Sequence, residues 1–261
     1  MTFCALASGS AGNAALVSTA STRILVDAGL SLRELQRRLA LIGEDLERVD
    51  ALCVSHSHRD HAGALPTMMA NRKVRAKFYM TPLTRAELAK NQFGFDDDGN
   101  IEEFYAGDDF RIGDIAVHSF ALSHDAVDTV GFTFTAGGAR IGMAVDLGCV
   151  TETVIEPLRG VDLLMIESNH DRDICLTGPY PISVKRRVLA STGHLCNDDL
   201  AEYLVDHLQK STRQIVLGHL SQTNNHPRLA YLVASEAAKR AGRDPAVSIA
   251  EQGKPTEVFE V

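Results

Sequence analysis

Ser55-His56-Ser57-His58-Arg59-Asp60-His61 packs three imidazoles and one carboxylate into a single short stretch. These are donor groups for borderline divalent cations. The stretch follows a short apolar run, Ala51-Leu52-Cys53-Val54, that reads as a buried strand. Alternate residues of an extended chain point the same way, so His56 and His58 can reach one cation together. Asp60 and His61 come a few residues later, where the chain turns toward Gly63 and a helix, and can face a second cation. Four such side chains would be costly to bury as core, so a fortuitous polar turn is the weaker reading.

More donors stand at the ends of later strand-like segments. They are His124 in Ser123-His124-Asp125, Asp146 in Val145-Asp146-Leu147-Gly148 and His219 in Leu217-Gly218-His219-Leu220. Taken singly, each is as well explained by an ordinary hydrogen bond. Joined to the first motif, they supply what two cations still need. An imidazole and carboxylate set without thiolate suits zinc, manganese or iron.

The elements that must position these residues are legible in outline. Phe3–Leu6, Ala15–Ser18, Arg23–Asp27 and Ala51–Val54 read as strands. So do Phe110–Ile112, Ile115–Phe120, Val130–Phe134, Arg140–Val145, Leu163–Ile166 and Ile215–Leu217. Ser31 is expected to cap a helix, with Glu34 completing a capping box and Leu32, Leu35, Leu39 and Ile42 forming an apolar stripe. Further helices are expected over Thr81–Lys90 with Pro82 at the first position, Pro181–Ser191, Asn197–Gln209 and Pro227–Ala241. Strand-rich halves, each followed by helices, suggest two sheets with helices outside them.

The 261-residue chain shows no linker, repeat or break in composition, so 1–261 reads as one domain. No apolar run is long enough to span a bilayer, and no basic leader precedes the first strand; neither a membrane nor a secreted location is expected. The five cysteines are scattered, which fits reduced thiols in a cytoplasmic protein. Net charge is −8, awkward for a protein that grips a polyanion. Two basic runs soften that objection: Arg72-Lys73 with Arg75 and Lys77, and Lys185-Arg186-Arg187.

His56-Ser57-His58-Arg59-Asp60-His61 resembles the HxHxDH signature of metallo-β-lactamase-fold hydrolases, and the similarity runs along essentially the whole chain. Within that family the chain resembles the YycJ/WalJ-like branch. Leu6–Asn13, Ile24–Ser31, Ser123–Ala126, Glu167–Asp171, Gly193-His194-Leu195 and His219-Leu220-Ser221 with Asn224-Asn225 all resemble it. The resemblance implies an α/β fold, a four-layer αββα sandwich, and a double-strand-specific 5′→3′ DNA exonuclease. It implies a first metal on His56, His58 and His124 and a second on Asp60, His61 and His219. Asp146 would bridge them, and Asp27 would orient the histidine loop. A hydroxide shared by the two cations would attack phosphorus, with Asp60 able to take the proton of the attacking water. Glu167 and His194 resemble the Glu–His relay of RNase Z-type phosphodiesterases, which gives His194 a phosphate contact or the protonation of the leaving group. Ser10, Asn13 and His170 are candidate substrate contacts, with structural hydrogen bonding the alternative for His170. His118, His207 and His226 read as surface or packing residues. Fold does not fix substrate. A thioesterase, a lactonase or a small cyclic-phosphate diesterase on the same scaffold therefore stays open. No residue compels a particular oligomeric state.

Overall fold

A computed structural model of the chain describes residues 1–91 and 100–261. The first sheet is built from β1 (Thr2–Ala7), β2 (Ala14–Ser18), β3 (Arg23–Val26), β4 (Ala51–Cys53), β5 (Lys77–Met80) and β6 (Ile101–Glu103), paired in that order. The second holds β7 (Asp109–Ile112), β8 (Ile115–Ala121), β9 (Val130–Ala136), β10 (Ala139–Ala144), β11 (Leu163–Glu167), β12 (Gln214–Gly218) and β13 (Ala246–Ile249), again in order. The last strand, β14 (Phe259–Glu260), returns to pair with β1. Strands β3 to β6 run parallel, as do β10 to β13.

The central strands are apolar on both faces because both faces are covered, and alternate residues point to opposite sides. Phe3, Ala5, Ile24, Val26, Ala51 and Cys53 meet Phe132, Phe134, Ile141, Met143, Met165 and Val216 in a core between the sheets. The intervening Cys4, Leu6, Leu25 and Leu52 turn outward to helices. There they pack on α1 (Leu32–Leu41), α2 (Arg59–Ala62), α3 (Leu65–Met69) and α4 (Pro82–Asn91) through Leu35, Leu39, Ala62, Leu65, Met68 and Leu88. On the far side, Leu164, Ile166, Ile215 and Leu217 pack against α5 (Glu152–Leu158), α8 (Asn197–His207) and α9 (Pro227–Arg240). Three apolar layers between four structural layers make the αββα sandwich. The short helices α6 (Arg172–Thr177) and α7 (Ile182–Val188) lie between β11 and α8, and α7 buries none of its residues.

Helix α1 starts as expected, with the Ser31 hydroxyl accepting from Glu34 N. The Glu34 carboxylate, however, pairs with Arg37 and Arg38. The helix expected over Pro181–Ser191 is shorter, because residues 191–193 form the approach to His194. Strands β5, β6, β13 and β14 and helices α5 and α6 were not anticipated. The four strands are short and take their place from neighbours rather than from a pattern of their own.

The carboxyl ends of the parallel strands β3, β4, β10, β11 and β12 carry Asp27, the Ser55–His61 segment, Asp146, Glu167 and His219. This is the edge where open α/β sheets hold their ligands.

Candidate metal centre

The histidine loop is built on Asp27. Its carboxylate accepts from Ser55 N at 2.7 Å, Ser55 Oγ at 2.8 Å and His61 Nδ1 at 2.7 Å. Ser55 Oγ also lies 3.0 Å from His56 Nδ1. Both imidazoles are thus held by Nδ1, leaving Nε2 to face the centre. Ser55 opens the motif in the sequence but was given no role there. Its position directly before His56 was the available signal.

The ring centroids of His56, His58 and His124 lie 4.7–5.2 Å apart, and their ligand nitrogens fall within 4.8 Å of one another. His124 is fixed by an Nδ1 bond to Gly193 O at 3.1 Å. A second group gathers ligand atoms of Asp60, His61, Asp146 and His219 within the same limit. Asp146 lies between the two. Its Oδ2 is 2.5 Å from His61 Nε2 and 3.7 Å from His56 Nε2, and its Oδ1 is 2.8 Å from His219 Nδ1. The sequence-predicted donors therefore converge, although they lie far apart along the chain.

A third grouping joins Asp146, Glu167, His194 and His219. Glu167 is fully committed within it. One oxygen accepts from His194 Nδ1 at 2.9 Å and His219 Nδ1 at 2.8 Å, and the other from Leu147 N and Leu195 N. Such a carboxylate orients imidazoles rather than offering a lone pair to a cation. Its contact with His219 was not foreseen, since the sequence linked Glu167 only to His194.

Electrostatics separates the donors. Burial pushes the His56 pKa well down, with nearby His61 adding to it, so this ring is neutral and ready to coordinate. Burial also lowers His58. At His61 burial again acts downward, but Asp146 and Asp27 outweigh it and carry the pKa to about 10. His219 rises well above its ordinary value against burial, chiefly through Asp146. Asp146 falls well below the carboxylate range because His219 and His61 overcome its burial. In the absence of a cation, protons on His61 and His219 supply the positive charge that these carboxylates demand.

Do these residues fit a metal? His56 Nε2, His219 Nε2 and both Asp146 oxygens are buried without a properly aligned hydrogen bond. Buried polar atoms left unsatisfied in this way are rare in folded proteins. The neutral His56 ring and the ionised Asp146 carboxylate are ready for a divalent cation, which would displace the protons that His61 and His219 carry without it. No cysteine belongs to any of the groups among the described residues.

Among the described residues, three of the four non-glycine residues with positive φ are Asp27, Asp146 and His219, at +60°, +57° and +52°. Strained backbone gathered at one point is a mark of function. Gly29 is required for a related reason: a Cβ there would stand 1.6 Å from Asp60 O.

Of the remaining candidates, Asn13 is buried, with Nδ2 2.8 Å from His61 Nε2 and 3.4 Å from Asp60 Oδ2. Ser10 borders a cavity of about 100 Å³ shared with Tyr180, His194, His219 and Asn224. His170 borders another, of about 210 Å³, which also reaches His194; burial lowers its pKa to about 4. Asn224, fully buried with both amide atoms unpartnered, figures in the sequence only as part of a resembling segment and was given no role there. His226 caps α9 and His118 pairs with Asp109.

Residues 22–220 match the beta-lactamase superfamily domain. The chain belongs to that superfamily. It is 34% identical over 245 residues to the exodeoxyribonuclease YycJ of Bacillus anthracis, covering 92% of this chain and 90% of the relative. It is also 34% identical over 228 residues to the exodeoxyribonuclease WalJ of Streptococcus pneumoniae serotype 2, covering 87% and 84%. The crystal structure of zinc-bound PqqB from Methylobacterium extorquens superimposes with a TM-score of 0.72 at 17% identity, covering 98% of this chain and all of the other. The chain is therefore a metallo-β-lactamase-fold, metal-dependent hydrolase. No described helix is long and apolar enough to cross a membrane.

Proposed function

We propose that this chain, acting as one domain, is a dinuclear metal-dependent phosphodiesterase that removes nucleotides from DNA ends. The observation that carries the reading is the His56–His58–His124 group beside the Asp60–His61–Asp146–His219 group, with Asp146 Oδ2 3.7 Å from His56 Nε2 and His194 held next to them by the buried Glu167. Kinship with relatives named exodeoxyribonucleases supports DNA as the substrate. His56, His58 and His124 would hold one cation and Asp60, His61 and His219 the other, with Asp146 shared. Bound zinc, manganese or iron would supply an activated water and positive charge for the phosphoryl oxygens. The remaining chemistry belongs to side chains. Asp60, partly open to solvent, accepts a proton from the attacking water. Glu167 fixes the His194 ring through Nδ1, which leaves Nε2 to meet a phosphate oxygen or to protonate the leaving oxygen.

End-labelled linear duplex, single-stranded DNA and RNA, each incubated with manganese or zinc, test the proposal in one gel. Stepwise shortening of the duplex from a 5′ end is expected. The net charge of −8 favours the rival reading of a small substrate. Turnover of an acylglutathione thioester with no cleavage of bis(p-nitrophenyl) phosphate or DNA would establish that rival.

A further inference from the structure

The two basic runs meet different fates in the fold. In the first, Lys73 pairs with Glu47 and Lys77 with Glu102, away from the donors. The second lies on α7, where successive side chains are about 100° apart and cannot all face one point. Lys185 Nζ turns back to Leu176 O at 2.7 Å. Arg187 turns to the metal centre. Its Nε bonds Asp125 Oδ2, and its Nη2 lies 3.1 Å from Asp125 Oδ1. Asp125 Oδ1 is itself 3.4 Å from His124 Nε2 and 4.0 Å from His58 Nε2. The next residue, Val188, borders the cavity shared by His194 and His219.

We infer that Arg187, held in place by Asp125, is the docking cation for a phosphate of the substrate strand next to the one being cleaved. A fork bound through Nε and Nη2 leaves Nη1 free, and it has no hydrogen bond among the described residues. A guanidinium carries five N–H donors, so one carboxylate does not exhaust it. The side chain remains 63% exposed, within reach of an incoming chain. Its fixed plane suits a phosphate, and the two-point bond to Asp125 removes the freedom a lone surface arginine would have to lose on binding. Bound cations answer the charge of the scissile phosphate, but the flanking phosphates still face the partly exposed carboxylates of Asp60 and Asp125. A positioned arginine beside them is how a chain of net charge −8 accepts a polyanion locally. Asp125 acts as a positioning residue through Arg187.

This inference rests on the nuclease reading. Cleavage of duplex by the unmodified chain tests that reading by itself: a chain that splits bis(p-nitrophenyl) phosphate but no nucleic acid removes it, whatever the variants do. For the residue, R187A and R187K are compared with the parent for melting temperature, metal content, and kcat and KM on linear duplex. R187A is expected to keep its metals and melting temperature and to raise the duplex KM about tenfold at nearly constant kcat. It should also flatten the dependence of log(kcat/KM) on log salt by about 0.9, the contribution of one duplex phosphate contact. Its KM for bis(p-nitrophenyl) phosphate, which has no flanking phosphate, should not change. R187K should keep the salt dependence and recover only part of the KM, because an ammonium is a point charge on a flexible stem and lacks the planar fork that Asp125 holds in one orientation. Unchanged duplex KM and salt dependence in R187A, or loss of metal from it, would overturn the assignment. Full recovery by R187K would overturn the role given to Asp125.

Discussion

Asp27→Asn isolates the support of the histidine loop from its chemistry. Three donors, Ser55 N, Ser55 Oγ and His61 Nδ1, converge on the two oxygens of Asp27 at 2.7–2.8 Å. Asparagine keeps the shape and tolerates the backbone φ of +60°. It offers one oxygen and one amide nitrogen, so at least one buried donor must face another donor. Leaving a buried donor unsatisfied costs about 1–3 kcal/mol. For a chain of this size that is a fall of roughly 2–10 °C in the melting temperature of the metal-free protein. If the donor left unsatisfied is His61 Nδ1, the ring also loses the bond that directs Nε2 to the centre. Loss of such a partner lowers metal affinity about 10–100-fold. Thermal denaturation in chelator gives the first quantity, and competition against a chromophoric zinc chelator gives the second. A D27N protein with parental melting temperature and metal affinity within about twofold of the parent would refute the claim that Asp27 orients the loop.

Four further outcomes are expected. His58→Ala should remove metal and activity together, read by elemental analysis beside a turnover assay. His194→Ala should retain the metals and lower turnover by about 10²–10⁴, the usual worth of a general acid; full activity would reject that role. Gly29→Ala should destabilise by roughly 3 kcal/mol through forced overpacking against the Asp60 carbonyl, measured by urea denaturation. Hydrogen bonds from Arg37 and Arg38 hold the Glu34 pKa at about 2, below its ordinary 4.5. The unfolded chain therefore binds more protons between those values, so this contribution is complete above about pH 4.5 and disappears as pH falls through about 2. The melting-temperature difference between the parent and Glu34→Gln should close over that window.

The histidine loop was readable because its donors are crowded into one segment and follow an apolar strand. His124, Asp146 and His219 carried a weaker signal, a donor at a strand end, which becomes specific only when the strands assemble in order. The link from Glu167 to His219 was illegible because it depends on β11 and β12 being neighbours in register, Glu167 opposite Gly218. Asn224 belonged to a resembling segment, but nothing in the sequence gave it a role until its burial was known. The basic run on α7 was visible as charge, but helix phase decides which of its members reaches Asp125, and the sequence carried no marker for that contact.

The seam between the sheets has a consequence for the history and engineering of the chain. Asp27, His56, His58, Asp60 and His61 extend from one sheet; His124, Asp146, Glu167 and His219 extend from the other. Cut between Phe104 and Asp109, where the polypeptide crosses over, neither piece would own a complete coordination set. A cation seated there would act as a rivet between two half-proteins, so reassembly of separately produced halves should depend on the ion supplied.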